Sequence, residues 1–495
     1  MTSDHGEKPW LFDFRSSERF LIVTVTIAIF TDSFIYGMIV PIIPIALVDR
    51  AGERPEDAQY LVSVLLAVYG ATLLVGSPLF GYFADQSKLR RVPFILGLIA
   101  LGTSTALFTF ARTFPALVVA RALQGLSAAA VWVVGLAIVA DSVPSERVGA
   151  AMGQTTIGLT WGFVLGPMAG GYIYEHLGWY GTFTVPGLLV VVDIALRLLM
   201  IEAPKNTQPD KTEPYLYSEN SPSGFNSYDT FNDEGILAPA LSSSSSSRNH
   251  DNESAPLLQS SASAENDHDP DNKVQRATIF SLLLSARMPF ALLATLTMAT
   301  IFASLESTLP LFTMQTFNWG STGAGLIFLA VSVPTFFGVY IGEAMDRIGV
   351  RILGSTAFAA GSICWILMRF VTSNSTEHIV LLVILLFCLG LAFATIEIAS
   401  MTEVAGIIDD YETEHPGAFG GKSPIAQGYA MFNMAFAGGQ LVGPLIAAAL
   451  RVHAGWSAMT LVLGVICGVV AIPVGLFIGP RPVVEMDEAS ACESA

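Results

Sequence analysis

Apolar residues in this chain run in blocks of about 20 or more, the length at which a helix crosses ~30 Å of hydrocarbon. Six blocks fall near 20–46, 59–83, 93–111, 114–140, 147–173 and 180–201. Six more fall near 289–314, 321–344, 351–371, 378–408, 424–450 and 456–479. The pattern predicts an all-α integral membrane protein with twelve transmembrane helices in two six-helix bundles. It divides the chain into a tail over 1–19, a first bundle over 20–202 and a linker over 203–288. A second bundle then covers 289–479 and a tail covers 480–495.

The two bundles carry the same landmarks. Gly162, Gly166, Pro167, Gly178 and Trp179 return as Gly439, Gly443, Pro444, Gly455 and Trp456, each displaced by 277 residues. Gly81, Asp85 and Arg90 return as Gly342, Asp346 and Arg351, each displaced by 261. Duplicated halves with a site between them are the usual architecture of secondary transporters. In GxxxG the small residues let helices approach closely, and a following Pro removes a backbone hydrogen bond and permits a bend. Gly162, Gly166 and Pro167, with Gly439, Gly443 and Pro444, are therefore expected at paired bending or close-packing points of the fifth and eleventh spans. Asp85 and Asp346 sit at helix ends on the side of the termini. Each is expected to accept hydrogen bonds from a neighbouring helix N-terminus while Arg90 or Arg351 pairs nearby, a latch for one conformation.

Composition agrees with a membrane protein. Of 495 residues, 52% are hydrophobic and 13% charged, against roughly 25% charged in ordinary soluble domains. With span-edge residues counted as loop and residues 203–276 left out, twelve Lys/Arg lie on the side of the termini and five on the other. The positive-inside rule then puts both termini in the cytoplasm. The first 19 residues are polar and charged, with no cleavable signal peptide expected ahead of the first span. The net charge of -17 is concentrated: residues 203–276 hold twelve acidic and five basic side chains and the Ser242–Ser247 run. Such a stretch cannot bury enough apolar surface to fold, which predicts a disordered cytoplasmic linker. Asp409, Asp410, Glu412 and Glu414 read as solvated charge, and nothing resembles a nucleic-acid surface. Cys364, Cys388, Cys467 and Cys492 form no CxxC pair, so neither a disulfide framework nor a metal site is expected. None of the seven histidines falls in the interior of a span, His378 standing at the edge of the tenth, which leaves any proton coupling to carboxylates.

Candidate chemistry lies in ionisable residues within the spans. Charge at the bilayer centre costs at least ~2.5–3.5 kcal/mol on insertion scales, so these side chains should face the bundle interior or water. Asp32 lies halfway along the first span, where it fits an anion for a cationic substrate, a proton carrier or a partner for an arginine. Glu306 occupies the matching place in the seventh span and Glu397 is isolated in the tenth. Glu403 is nearer the cytoplasmic end, where a solvated face would account for it. Arg121, with Gln124 one turn on, is placed to lower the pKa of a carboxylate or to anchor a substrate anion. Asp193 and Arg197, spaced i, i+4, are expected to form a structural ion pair. The stretch Gly417–Ser423, GAFGGKS, falls one residue short of a phosphate-binding loop and has no preceding strand. No nucleophile–base cluster appears, so an enzyme is not expected, nor is any cofactor.

These motifs resemble the major facilitator superfamily from the first span to the last, the linker excepted. GYFADQSKLRR is similar to its loop motif after the second span, LVVARALQGLSAAA to its fourth-span Arg motif and GLTWGFVLGPMAGG to its fifth-span antiporter motif. The best match is the twelve-span drug:proton antiporter group, in its vesicular amine transporter-like, fungal branch. DSFIYGMIVPIIP, LESTLPLF, PGAFGGKSPIAQGYAMFNMAF and VDIALRLLMIE carry that likeness. The resemblance implies that Asp32 contacts a substrate amine and that Glu306 and Glu397 belong to the cavity or the proton path. It ties Arg121 to proton handling and Asp85 to conformational latching. Where vesicular amine transporters carry an eleventh-span Asp, this chain has Asn433, which cannot release a proton.

The expected function is alternating-access transport of a small organic solute (drug, amine or metabolite), by proton-coupled antiport. Alternatives are an uncoupled facilitator, a proton symporter of a neutral or anionic metabolite and, more remotely, a transporter-like sensor signalling through its linker. Partners are then a small-molecule substrate, protons and the bilayer, with a monomer sufficient. Glu253, Leu257 and Leu258 match an acidic dileucine signal, which fits a sorting adaptor and a vacuolar membrane; the plasma membrane is the other location. The sequon at Asn374 falls on the non-cytoplasmic side.

Overall fold

The computed structural model describes residues 12–86, 91–143, 148–200, 283, 285–415 and 424–479. Contacts divide the chain into Met1–Asn206 with Gln275–Ala495, and Thr207–Val274, the latter wholly outside the described residues. The expectations for the linker, for Glu253, Leu257 and Leu258, for Arg90 and for Gly417–Ser423 also lie outside them.

Regular structure among the described residues is helical. Among the described residues, ten helices are long and apolar enough to cross a membrane. They are α1 (Glu18–Ile39), α2 (Ala58–Gln86), α3 (Arg91–Phe110), α4 (Phe114–Ser142) and α5 (Val148–Leu199) in the first half. The second half has α6 (Met288–Phe317), α7 (Ser321–Ile348), α8 (Val350–Leu367), α9 (Thr376–Glu414) and α10 (Pro424–Phe477). Helices prevail because a backbone without water must satisfy its polar groups internally.

Two helices are double. The apolar stretches Gly153–Leu199 and Ala430–Phe477 run 47 and 48 residues, and at 1.5 Å per residue each would be ~70 Å long if straight. Neither is straight. Gly178 (φ 67°) and Gly455 (φ 80°) break them with left-handed backbone, a conformation glycine takes without steric cost. The fifth and sixth apolar blocks thus lie on α5 and the eleventh and twelfth on α10.

The Gly-Trp repeat has a physical reason at these breaks. Trp179 Nε1 donates to the Thr109 carbonyl at 2.9 Å, and Trp456 Nε1 donates to the Met368 carbonyl at 3.1 Å. Each indole satisfies one of the carbonyls left open at the end of a neighbouring helix. The glycine turns the chain, and the tryptophan ties the turn to the third helix of its half.

Proline breaks two other spans. The first block ends as a helix at Ile39 and resumes as Ile43–Asp49, because Pro41 and Pro44 lack the N–H that would continue the ladder. α7 passes through a 3-10 segment, Val333–Phe337, at Pro334.

Packing repeats between the halves. α1 lies along α5 and α6 along α10; across the halves α2 meets α10 and α5 meets α7. On α5, Gly158, Gly162, Gly166 and Gly170 form one face against the α1 backbone. A Cβ at Gly166 would stand 2.7 Å from the Phe34 carbonyl, and one at Gly162 2.9 Å from Phe34 N. In the second half a Cβ at Gly439 would stand 2.6 Å from the Leu296 carbonyl. The Gly443 carbonyl accepts from Ser304 Oγ at 2.9 Å. Pro167 and Pro444 lie inside α5 and α10 directly after these glycines.

This packing predicts an asymmetric response to one methyl group. Gly166→Ala should destabilise the protein by about 1–3 kcal/mol through overpacking, read as a lower melting temperature in detergent. Gly153→Ala, whose Cβ would meet nothing within 4 Å, should not.

Candidate functional site

A cavity opens between the halves, and helical spacing explains its lining. Asp32 and Tyr36 are one turn apart on α1, as are Tyr69 and Leu73 on α2, Leu159 and Phe163 on α5, and Glu397 and Met401 on α9. Asn433, Phe436 and Gln440 continue one face of α10, and Trp132 contributes from α4. Most of the wall is aromatic or aliphatic, with two carboxylates set into it.

The structure brings Asp32, Glu397 and Asn433 to this wall. Asp32 is 1% exposed, and its Oδ1 has no hydrogen-bond partner. An unpartnered buried carboxylate oxygen is costly, so it calls for a cation, a proton or water at that point. Glu397 is half-buried on the opposite half.

Glu306 lies just behind the wall. It is 3% exposed and accepts a hydrogen bond from Tyr36 Oη at 2.7 Å, with Gln440 Oε1 3.4 Å from the same hydroxyl. Tyr36 packs on Tyr69 at 4.6 Å between ring centroids and edge-on to Phe163 at 6.0 Å. Arg121 lies over Tyr36 at 5.4 Å and over Phe108 at 5.5 Å. Arg121 is fully buried; Nη1 donates to Gln124 at 2.8 Å, while Nε and Nη2 have no partner. Tyr36 and Gln440 were not singled out in the sequence. Their one available signal was position: Tyr36 is one turn from Asp32, and Gln440 stands beside Gly439.

Asp193 and Arg197 pair at 3.3 Å with both side chains fully buried. Arg197 Nη1 also donates to the Phe94 carbonyl at 3.2 Å, and the guanidinium lies on the Phe94 ring. Asp193 and Arg197 are electrostatic neighbours of Asp32. Glu403 is taken by Arg287, which reaches it at 2.7 Å and Asp410 at 2.6 Å.

The remaining candidates are dispersed. Asp85 lies in the last turn of α2, and its side chain lies outside the described set. Asp346 is exposed, and Arg351 Nε donates to the Ile478 carbonyl at 2.7 Å. Asn374 Nδ2, the atom a sequon would modify, donates to the Phe317 carbonyl at 3.2 Å.

Hydrogen bonds join the halves at the end of the molecule that carries the α5 and α10 breaks. Besides Tyr36–Glu306, Gln59 Nε2 donates to the Ser307 carbonyl at 2.9 Å. Ser321 Oγ donates to the Gly171 carbonyl at 3.0 Å, and Thr322 N to Glu175 Oε2 at 2.9 Å. Asp32, Glu397 and Asn433 lie on the other side of this seal, towards the end where α1 begins.

Known proteins resemble this chain along most of its length. The profile of the Major Facilitator Superfamily matches residues 25–415. An uncharacterized MFS-type transporter of Schizosaccharomyces pombe is 35% identical over 447 residues, 90% of this chain and 92% of that protein. A probable vesicular acetylcholine transporter of Danio rerio is 34% identical over 188 residues, 37% of this chain and 38% of that one. Among solved structures, the human organic anion transporter MFSD10 aligns with a TM-score of 0.58 at 16% identity, covering 92% of this chain and 99% of its own. That likeness is one of fold.

The buried pair on α5 generates a test of its own. Asp193→Asn leaves Arg197 without its counter-charge and should cost about 3–5 kcal/mol, whereas replacing both by Leu and Met should cost far less. Thermal unfolding in detergent measures the difference.

Proposed function

The chain belongs to the Major Facilitator Superfamily, and on that premise we propose that it exchanges a small organic cation for protons by alternating access. The observation that carries the proposal is Asp32: a carboxylate 1% exposed, with an unpartnered oxygen, on the wall of an aromatic cavity. An organic ammonium is stabilised both by a carboxylate and by aromatic faces, and Tyr36, Tyr69, Trp132, Phe163 and Phe436 supply the faces. The likeness to vesicular acetylcholine transporters supports a cationic substrate.

In this reading Asp32 binds the ammonium, and Glu397 offers a second anionic contact from the other half. Proton and cation compete for the same carboxylates. A proton arriving at Asp32 releases the cation, and loss of that proton readies the site again. Asn433 offers a hydrogen bond and no charge, which leaves the exchange to Asp32, Glu306 and Glu397. Alternating access follows from the duplicated halves rocking about the midplane. The seal at one end is the closed gate of one of the two states. Asp85, Asp346, Arg90 and Arg351 would latch the other end in the opposite state. With both termini in the cytoplasm, as the positive-inside rule predicts, the sealed end would face away from it.

Uptake into proteoliposomes holding the purified protein tests this. An imposed pH gradient should drive accumulation of organic amines. Asp32→Asn should lower accumulation at least ten-fold with the protein still folded. Movement of neutral or anionic solutes alone, or indifference to the gradient, would overturn the reading.

A further inference from the structure

We infer that Tyr36 is a positioning residue through which the charge on Glu306 holds the two halves together at the sealed end. The inference rests on the transport reading for its purpose, but its test needs no substrate.

Tyr36 faces two compartments. Its ring forms part of the cavity wall, and its hydroxyl reaches past the wall to Glu306 at 2.7 Å. Glu306 itself does not line the cavity. The bond spans the halves, from α1 to α6, and Tyr36 is 2% exposed. A phenol has one proton to donate, and the shorter contact shows that Glu306 receives it rather than Gln440.

The strength of this bond depends on the acceptor. A carboxylate makes a charge-assisted hydrogen bond, roughly twice as strong as one to a neutral acceptor. The groups facing Glu306 are Tyr36 from α1, Tyr69 from α2, Arg121 from α4 and Gln440 from α10. Among these Arg121 is the positive charge, and it lies over the Tyr36 ring. With Glu306 ionised, the guanidinium, the phenol and the carboxylate form a continuous chain from the first half to the second. Protonating Glu306 removes the charge that the chain is built around, so the seal loosens. A solute pressing on the Tyr36 ring moves the hydroxyl that Glu306 depends on, which links cavity occupancy to the gate.

Packing alone would give Tyr36 a different signature. Its contacts with Tyr69 and Phe163 use the ring, which phenylalanine keeps. The hydroxyl is therefore separable from the aromatic face by one substitution.

Spin labels report the gate directly. Glu56→Cys and Glu377→Cys place one label on each half at the sealed end, both at exposed positions. The full-length chain, with its native cysteines replaced, is reconstituted in lipid nanodiscs. Tyr36→Phe and Glu306→Gln should each add a longer-distance population, shifting the closed-to-open ratio roughly ten-fold, the scale of one charge-assisted bond. The double substitution should add little to either single one, as expected for two ends of the same bond. Lowering the pH should open the parent protein and leave Glu306→Gln unchanged. Should Tyr36→Phe fail to fold, Glu306→Gln and the pH series read the same bond from its other end. Distances indifferent to both substitutions, or effects that simply add, would overturn the inference. A parent protein whose gate responds in this way but which moves no organic amine would instead count against the substrate reading.

Discussion

Two pairs of helices approach so closely that a single methyl group would strike a backbone carbonyl. α1 lies on the glycine face of α5, and α6 lies on that of α10. Without a hydrophobic driving force in lipid, close backbone approach is a main source of helix association. The two clamped helices are also the ones that carry Asp32 and Glu306. The acids are thus presented from the most tightly held elements of each half. Gly162 packs against Ser33, next to Asp32, and Gly443 against Thr300, with Ser304 bonded to its carbonyl.

The halves repeat each other in backbone and differ in what they bury. Buried polar atoms without a partner in the first half include Thr31 Oγ1, Asp32 Oδ1, Arg121 Nε and Nη2, Ser127 Oγ and Arg197 Nη2. Among the described residues, the corresponding atom in the second half is Trp365 Nε1. The first half therefore carries most of the unsettled polarity, and the second closes around Trp365 and its apolar neighbours. Water is the ordinary partner for buried polar groups of this kind. The halves share a backbone frame and differ in their interior chemistry.

Much of this frame was legible in the sequence because it is local. Apolar block length marked the spans, and a five-residue signature displaced by 277 marked the copies. The i, i+4 spacing of Asp193 and Arg197 indicated their contact. What could not be read depends on partners far away in the chain. Tyr36 meets Glu306 across 270 positions, and Arg287 meets Glu403 across 116. Glu403 looked like a candidate for a solvated face, yet its side chain is 1% exposed under Arg287. Glu306 and Arg121 were visible as costly charges within spans, but their place behind the cavity wall follows from packing. Likewise, proline told where the first span would falter only once its helix was seen to stop at Ile39.

Arg287 leads into the second half and is fastened to that half's own helix α9 through Glu403 and Asp410. It behaves like the strain relief on a cable. A pull on the chain ahead of Arg287 would be met at this anchorage before it reached α6. A change in length ahead of Arg287 would thus be borne by α9 before it disturbed the helix that carries Glu306.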